Sequence, residues 1–154
     1  MIKWQRILSE NNIIVGLASQ RHLDAVRELA EVFKADEAIK DHKQFLSELL
    51  RREQQISTAI GKGVAVPHAH VECIQRQRLA IGISTKGVDF NAVDGQPVYI
   101  VALLATPVKH HPQHMELLGA LSRLMQQNNI RQALIEATEA TQVVEIISQK
   151  RQAS

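Results

Sequence analysis

Apolar and polar positions along this chain follow two different periodicities, and the change between them divides the sequence into blocks. In the first block, apolar residues recur every three or four positions, which indicates helices that bury one face. We predict a helix over about 20–35 that Ser19 caps, and a second helix that begins after Asp41 and ends near residue 54. A short strand at 13–15 precedes both helices.

The middle block carries short apolar runs bounded by glycine, proline and turn residues, which is typical of strands. The runs at 64–66 and 79–83 are predicted strands, and residues 88–90 extend the same sheet. The run at 98–105 is apolar at nearly every position. We therefore expect it to be a central strand that is covered on both faces.

The last block returns to helical spacing and predicts helices over about 112–127, 129–137 and 139–149. Helices before and after a block of strands predict an α/β fold, namely a three-layer α/β/α sandwich with a central mixed β-sheet. No repeat, low-complexity tract or linker interrupts the pattern. Residues 1–154 are therefore expected to form a single domain.

Composition narrows the class of protein. The net charge is +2 and the basic residues are scattered among acidic ones, so we expect no nucleic-acid partner. The single cysteine, Cys73, cannot form an internal disulfide, which favours a reducing compartment. The first residues lack the apolar core of a signal peptide, and the run at 98–105 is too short to span a bilayer. We expect a cytoplasmic protein with no membrane insertion.

Candidate chemistry is concentrated at residues 56–68. Gly61 and Gly63 flank a lysine, a short apolar run follows, and Pro67 stops that run directly before His68. Proline lacks the donor that a strand needs, so we expect the strand to end there and to hold His68 at its end. Because histidine is partly neutral near physiological pH, an imidazole fixed in this way can act as a nucleophile.

A second histidine lies at the start of a predicted helix. Pro112 suits the first helical position, and His114 then falls in the first turn, in register with Leu118 and Leu121. At this end of a helix, free backbone N–H groups favour an anion. If the strand end at His68 abuts this helix end, two imidazoles face each other across a small anion site.

Two segments resemble the motifs of a known family. Residues 52–68 read Arg-Glu-Gln-Gln-Ile-Ser-Thr-Ala-Ile-Gly-Lys-Gly-Val-Ala-Val-Pro-His, similar to the family's Arg-Glu followed by Ser-Thr-Gly-Ile-Gly-x-Gly-Ile-Ala-Ile-Pro-His. Residues 114–122 read His-Met-Glu-Leu-Leu-Gly-Ala-Leu-Ser, similar to the family's His-Leu-x-Leu-Leu-x-x-Leu. The family is the IIA domain of the fructose/mannitol class of the bacterial sugar phosphotransferase system, including the nitrogen-related regulatory IIA proteins.

The resemblance implies a phosphohistidine mechanism. His68 would accept a phosphoryl group on Nε2 from the carrier protein HPr and pass it to a IIB component, which serves a IIC membrane transporter. Arg52 matches the arginine that faces the phosphorylated histidine, and His114 matches the second active-site histidine, which hydrogen-bonds the phosphoryl group. Thr58 matches the hydroxyl-bearing segment, and we predict that it orients the other ring nitrogen of His68. No metal or cofactor is required, because the donor is already an activated phosphoramidate.

Several alternatives stay open. A regulatory protein of this family would use the phosphorylation state of His68 to control partner binding, and a module of the same fold could bind partners after losing phosphotransfer. The histidines at 68, 70 and 110–114 could also supply zinc ligands, but no cysteine or carboxylate completes an obvious set.

Two local expectations concern the surroundings of the site. Ala59 replaces the family's usual glycine, and it would be strained if that position had a positive φ. We also expect an apolar rim on which partners dock transiently, with Met115, Val108 and Val71 as its candidates.

Overall fold

The structure is a computed structural model that describes the backbone of residues 2–153 and the side chains of residues 2–148. This part of the chain contains six helices and six strands. The helices are α1 (Trp4–Ile7), α2 (His22–Ala30), α3 (His42–Gln55), α4 (His111–Met125), α5 (Asn128–Glu136) and α6 (Ala140–Ala153). The strands are β1 (Ile13–Val15), β2 (Ala59–Gly61), β3 (Val64–Ala65), β4 (His68–Val71), β5 (Arg78–Val88) and β6 (Val98–Pro107).

The strands form one mixed sheet between two layers of helices. The sheet order is β1-β5-β6-β3-β2, and β4 also pairs with β6. β6 runs antiparallel to β5 and parallel to β3 and β4. One hydrophobic cluster joins the sheet to α1, α4, α5 and α6, and the other joins it to α2 and α3. The predicted three-layer α/β/α sandwich is therefore confirmed.

Central strand β6 shows why both layers form. Its side chains alternate between the two hydrophobic clusters, so that neither face of the strand meets water. Ile100, Ala102 and Leu104 belong to one cluster, and Val101, Leu103 and Ala105 belong to the other. The uninterrupted apolar run predicted this double burial, which is confirmed.

The predicted strand ends before Pro67, at Ala65, but the chain stays in the sheet beyond the proline, which the sequence did not predict. The N–H of Val66 donates to the carbonyl of Thr58 at 3.0 Å, and the carbonyl of Pro67 accepts from the N–H of Leu104 at 2.9 Å. Pairing with β6 then continues, and His68 is the first residue of β4 rather than the last residue of the preceding strand. The proline removes one ladder donor, but β6 is long enough to pair with strand residues on both sides of it.

The predicted cap at Ser19 is wrong, whereas the cap at Asp41 is confirmed by its bond from the N–H of Gln44 at 3.1 Å. Helix α2 begins only at His22, with no side-chain cap. Asp89 holds the preceding segment extended, because its backbone bonds to Gln20 and His22 at 2.9 and 3.0 Å. A long-range strand-like contact therefore displaces the locally favoured start of the helix.

The remaining predicted strands and helices are present, with ends that differ by several residues in places. β5 runs from Arg78 to Val88, longer than its apolar core suggested, and α2 continues as a 3-10 turn over Glu31–Phe33. The sequence pattern did not predict α1, β2 or β4, each of which is only three or four residues long.

Candidate active site

Each ring nitrogen of His68 has a hydrogen-bond partner of a different kind. Nδ1 lies 3.0 Å from the carbonyl oxygen of Val66. Nε2 lies 3.0 Å from Nη2 of Arg52. A carbonyl can only accept and a guanidinium can only donate, so Nδ1 carries the proton and Nε2 keeps its lone pair. The unprotonated nitrogen therefore faces the arginine.

Burial and neighbouring charge favour the neutral form of this ring. Burial lowers the pKa of His68 below its ordinary value, and the positive charge of Arg52 lowers it further. The bond to the Val66 carbonyl and the negative charge of Glu53 oppose this change. The direction of the shift preserves the lone pair on Nε2 at neutral pH.

Thr58 does not orient the His68 ring, so that prediction is wrong. Its hydroxyl donates to Oε1 of Glu53 at 2.6 Å, and its backbone N–H donates to Oε2 at 3.0 Å. The contact expected of Thr58 is made by the carbonyl of Val66. Thr58 acts one step away, because its own carbonyl accepts from the N–H of Val66.

Glu53 is the residue of this site that sequence reasoning missed. It occupies the last turn of α3, which reads as polar and solvent-facing, yet it is only 2% exposed. Two donors from Thr58 satisfy its carboxylate. The signal was present in the Arg-Glu pair that opens the motif, since consecutive helical residues point in different directions and one of the two can be buried.

His114 lies beside His68 in the first turn of α4. The two ring centroids are 5.4 Å apart, and the planes are inclined by 57°. His114 is 4% exposed, and its Nδ1 lies 2.8 Å from Oγ1 of Thr106. Burial lowers the pKa of His114 to about 4, with positive charge on neighbouring histidines acting in the same direction. This imidazole is therefore neutral at pH 7.

Two further histidines border the pair. His70 shares a face of β4 with His68, and its ring centroid lies 4.7 Å from that of His114. His111 stacks on His70 at 5.6 Å and 12°. Nε2 of His70 donates to the carbonyl of Val108 at 3.0 Å. Among the described residues, no group of three or more His, Cys, Asp or Glu side chains is arranged to hold a metal ion.

Two clefts meet at His68. The hairpin cleft has a volume of about 400 Å³ and is lined by Arg52, Gln55, Ile56, Ser57, Thr58, Ala59, Ile60, Val66, His68, Leu118 and Ser122. The histidine cleft has a volume of about 270 Å³ and is lined by Glu48, Arg52, His68, His70, His111, His114, Met115 and Leu118. Both clefts include His68 and Arg52, so these two side chains border open space in two places.

The rim of these clefts is apolar, although its members differ from those expected. Ile56, Ile60 and Met115 are 76%, 42% and 53% exposed. Val108 is also exposed but borders a separate cleft, and Val71 packs against the core. Of the three residues expected at the rim, only Met115 lines either cleft.

The hairpin formed by β2 and β3 shapes one wall of the site. Its tip has positive φ at Gly61, Lys62 and Gly63, with values of 90°, 58° and 78°. Nζ of Lys62 donates to Oε1 of Gln126 at 2.9 Å, which joins the tip to the end of α4. Ala59 does not have a positive φ. The backbone strain that a positive φ would impose on alanine is therefore absent at this position.

The sequence matches the family described as "Phosphoenolpyruvate-dependent sugar phosphotransferase system, EIIA 2" over residues 6–150. The chain therefore belongs to this family, and the family resemblance read from the two motifs is confirmed. Within the described residues, no helix is both long enough and apolar enough to cross a membrane.

Three similar proteins illustrate the range of the family. The chain is 31% identical over 148 residues to the fructose-specific EIIABC component of Bacillus subtilis, covering 96% of this chain but only 23% of that protein. Its structure resembles the nitrogen regulatory protein IIA-Ntr of Neisseria meningitidis, with a TM-score of 0.85 and 26% identity, over 92% of this chain and 97% of that one. It shares the fold of Escherichia coli enzyme IIA mannitol in complex with phosphorylated IIB mannitol, with a TM-score of 0.79 and 19% identity, over 92% and 96% of the chains.

Proposed function

We propose that this chain is a phosphoryl carrier of the sugar phosphotransferase system, in which His68 accepts a phosphoryl group on Nε2 from a phosphorylated HPr-type carrier and passes it to a IIB component for sugar uptake. The observation that carries the proposal is the orientation of the His68 ring. Its Nδ1 proton is held by the Val66 carbonyl, and its Nε2 lone pair is directed at Arg52.

The proposed step uses the groups described at the site and the phosphohistidine of the donor. The lone pair on Nε2 of His68 forms a new N–P bond while the N–P bond of the donor phosphohistidine breaks, and its electron pair returns to the donor ring. Positive charge develops on the His68 ring in this step, and the Val66 carbonyl at Nδ1 stabilises it. In such a transfer, positioning and charge neutralisation supply most of the catalysis.

Arg52 and His114 act on the phosphoryl oxygens. Arg52 is already within hydrogen-bond distance of Nε2, so its guanidinium can follow the oxygens of an incoming phosphoryl group and bind two of them in a fork. His114 is neutral and adjacent, so it adds a donor without a second fixed charge. A neutral donor favours release to the next carrier, because the phosphoryl group is not held by excess positive charge.

Exposed apolar residues support transient docking of protein partners. Ile56, Ile60 and Met115 surround the two clefts that lead to His68. A small apolar rim around a charged centre suits partners that must bind briefly and release. The E. coli IIA mannitol chain, which has this fold, forms a complex with phosphorylated IIB mannitol. We assign the same rim of this chain to the HPr-type donor and the IIB acceptor.

A regulatory role is the second candidate. It is favoured by the high structural similarity to IIA-Ntr of N. meningitidis, which covers nearly the whole of that protein. In this role the same phosphorylation of His68 would add about two negative charges to the apolar rim and change which protein it binds. Both roles use the same chemistry and differ in the acceptor.

The test is incubation of the purified chain with Enzyme I, HPr and labelled phosphoenolpyruvate. We expect acid-labile, alkali-stable label on His68, as for a phosphohistidine, and none in His68→Ala. The matched control is His70→Ala, which removes an imidazole from the same face of β4 and should still label within about threefold of wild type. Thermal unfolding verifies that both variants fold.

Two outcomes would contradict the proposal, and two others distinguish transport from regulation. Equal labelling of wild type and His68→Ala would overturn the assignment of the nucleophile, and absence of label in wild type would leave a module that binds without transferring. Rapid loss of label to an added fructose-type IIB domain supports transport. Label that is retained in the presence of IIB, combined with partner binding that depends on phosphorylation, supports regulation.

A further inference from the structure

A buried hydroxyl lies directly behind the His114 ring. Thr106, near the end of β6, is fully buried, and its Oγ1 lies 2.8 Å from Nδ1 of His114. The amide nitrogen of Gln77 donates to the same oxygen at 3.1 Å. These two contacts form a chain of three side chains that runs from the surface of the molecule to the second histidine of the site.

The orientation of the Gln77 amide is determined by its other partner. Its Nε2 also lies 3.4 Å from the backbone carbonyl of Gln113, which can only accept. The NH₂ group therefore faces both Gln113 and Thr106, and the hydroxyl oxygen of Thr106 is an acceptor in the bond from Gln77.

Among the described side chains that contact Thr106 Oγ1, one can then accept the hydroxyl proton. A buried hydroxyl that leaves its proton unpaired loses free energy, so the proton is directed to a partner. Of the two side-chain partners of Oγ1, Gln77 donates, and only Nδ1 of His114 can accept. The opposite arrangement, with a proton on Nδ1, would leave the Thr106 proton without an acceptor among these side chains.

We propose that Thr106 and Gln77 are positioning residues that hold His114 as the tautomer with its proton on Nε2, so that this N–H donates to the phosphoryl group on His68. The role of the donated bond rests on the function proposed above, whereas the tautomer itself does not. The hydrogen bonds run in one direction, from Gln77 to Thr106 to Nδ1, and the ring then presents a donor rather than a lone pair to the cleft it lines. A low pKa supports this arrangement, because a protonated Nδ1 could not accept.

The arrangement contrasts with that of His68 and explains why the two rings do not compete for the phosphoryl group. His68 donates from Nδ1 and keeps a lone pair on Nε2, so it can form an N–P bond. His114 accepts at Nδ1, so its Nε2 carries a proton and has no lone pair to attack phosphorus. The partner of each Nδ1 thus separates the nucleophile from the donor.

The tautomer is tested directly by nitrogen-15 NMR of the imidazole rings in the unphosphorylated full chain at pH 8. We expect His114 to carry its proton on Nε2, with Nδ1 shifted as a hydrogen-bonded acceptor. Gln77→Glu should reverse the direction of the hydrogen bonds. A carboxylate accepts the Thr106 hydroxyl proton, and the Thr106 oxygen then accepts from Nδ1–H of His114. A wild-type His114 with its proton on Nδ1 overturns the proposal, and an unchanged His114 spectrum in Gln77→Glu overturns the role of Gln77.

The effect on the reaction is tested with Thr106→Val, which removes the hydroxyl at nearly constant volume. We expect transfer to His68 to slow about tenfold, the loss expected for one hydrogen bond in the transition state. Thr106→Ser keeps the hydroxyl and should restore the rate to within about twofold. Wild-type transfer in Thr106→Val, or failure of Thr106→Ser to restore it, contradicts the positioning role.

A matched control accounts for general loss of stability. Ser84→Ala removes another buried hydroxyl of the sheet, one that accepts from the N–H of Gly87 and lines neither cleft at His68. It should leave both the His114 spectrum and the transfer rate unchanged, and a change equal to that of Thr106→Val would overturn the proposal. If wild type takes no label at all, the proposed function fails while the NMR result still decides the tautomer.

Discussion

The two imidazoles at the centre of the site are the same chemical group in two different regions of the fold. His68 begins a strand, is half-buried, and contacts a backbone carbonyl and an arginine. His114 begins a helix, is almost fully buried, and contacts a threonine hydroxyl. Residue type alone does not distinguish them. The two histidines differ in the groups that contact their ring nitrogens, and those groups decide which nitrogen keeps the lone pair.

The comparison also separates charge from hydrogen bonding. Arg52 provides a permanent positive charge at the His68 ring, whereas no arginine or lysine is hydrogen-bonded to the described ring atoms of His114. Burial lowers the pKa of both rings, so neither adds a charge at neutral pH. Under the proposed function, this set of one cation, one nucleophile and one neutral donor stabilises a phosphoryl group in transit without trapping it.

The same substitution at the two histidines gives the largest expected difference. Glutamine has an N–H that can replace a donor but no nitrogen that can form a stable N–P bond. His68→Gln should therefore take no label, and His114→Gln should label fully but about tenfold more slowly. Labelling time courses with Enzyme I and HPr measure both. Comparable rates for the two variants would show that the roles are not divided in this way.

Arg52 should have the next largest effect. Its removal deletes the only arginine that is bonded to a ring nitrogen of the described histidines, so Arg52→Ala should slow transfer about a hundredfold. The neighbouring Arg51 pairs instead with Glu48 at 2.8 Å, and Arg51→Ala should change the rate less than threefold. Because both variants lose one positive charge from the same helical turn, similar rates would indicate a general electrostatic effect rather than a contact with the phosphoryl group.

Glu53 connects the stability of the site to the chemistry of His68. In Glu53→Gln, one amide N–H must face a Thr58 donor, and the free energy of unfolding should fall by about 2 kcal/mol. Loss of the negative charge should also lower the pKa of His68, since Glu53 raises it. Denaturant unfolding and NMR titration measure the two effects.

Glu48→Gln is the matched control for this variant. Its carboxylate lies on the same helix and pairs with Arg51 near the surface, so unfolding should change by less than about 0.5 kcal/mol. If Glu53→Gln is as stable as this control, the buried carboxylate is not needed to hold the segment that carries Thr58.

The fold was predictable because its signals are local. Helical spacing and the apolar run at 98–105 depend only on residues that are close in sequence, and the helices and the strand that they predicted are present in the structure. The exceptions arise where a distant segment intervenes. Asp89 delays the start of α2, and pairing with β6 carries the chain through Pro67.

The site was less predictable than the fold. The motifs and helical register pointed to His68, Arg52 and His114, which the structure brings together. Tertiary packing decides which group contacts each ring nitrogen. We therefore predicted Thr58 as the partner of His68 Nδ1, whereas the structure has a backbone carbonyl there. A hydrogen bond to a main-chain carbonyl does not depend on the residue type, so the sequence does not indicate it. A buried carboxylate next to an exposed arginine has the same sequence pattern as an ordinary polar helix end.

The smallest expected effect is a difference in how stability depends on pH. His114 has a pKa of about 4 in the folded protein, and its ordinary value in the unfolded chain is 6.5. Between these values the unfolded chain binds a proton that the folded protein does not, so stability falls as the pH is lowered from 6.5 towards 4. His114→Gln lacks this proton uptake. Its unfolding free energy should depend on pH less steeply, by at most about 1.4 kcal/mol per pH unit.

Chemical denaturation at several pH values between 4 and 7 measures this slope. A residual slope should remain in His114→Gln, because burial also lowers the pKa of His68 and the variant keeps that ring. His42→Gln is a suitable control, since this histidine lies outside both clefts and contacts the carbonyl of Ala30. Equal slopes in wild type and His114→Gln would mean that His114 takes up a proton in the folded state, and a protonated ring could not be the neutral donor that distinguishes it from His68.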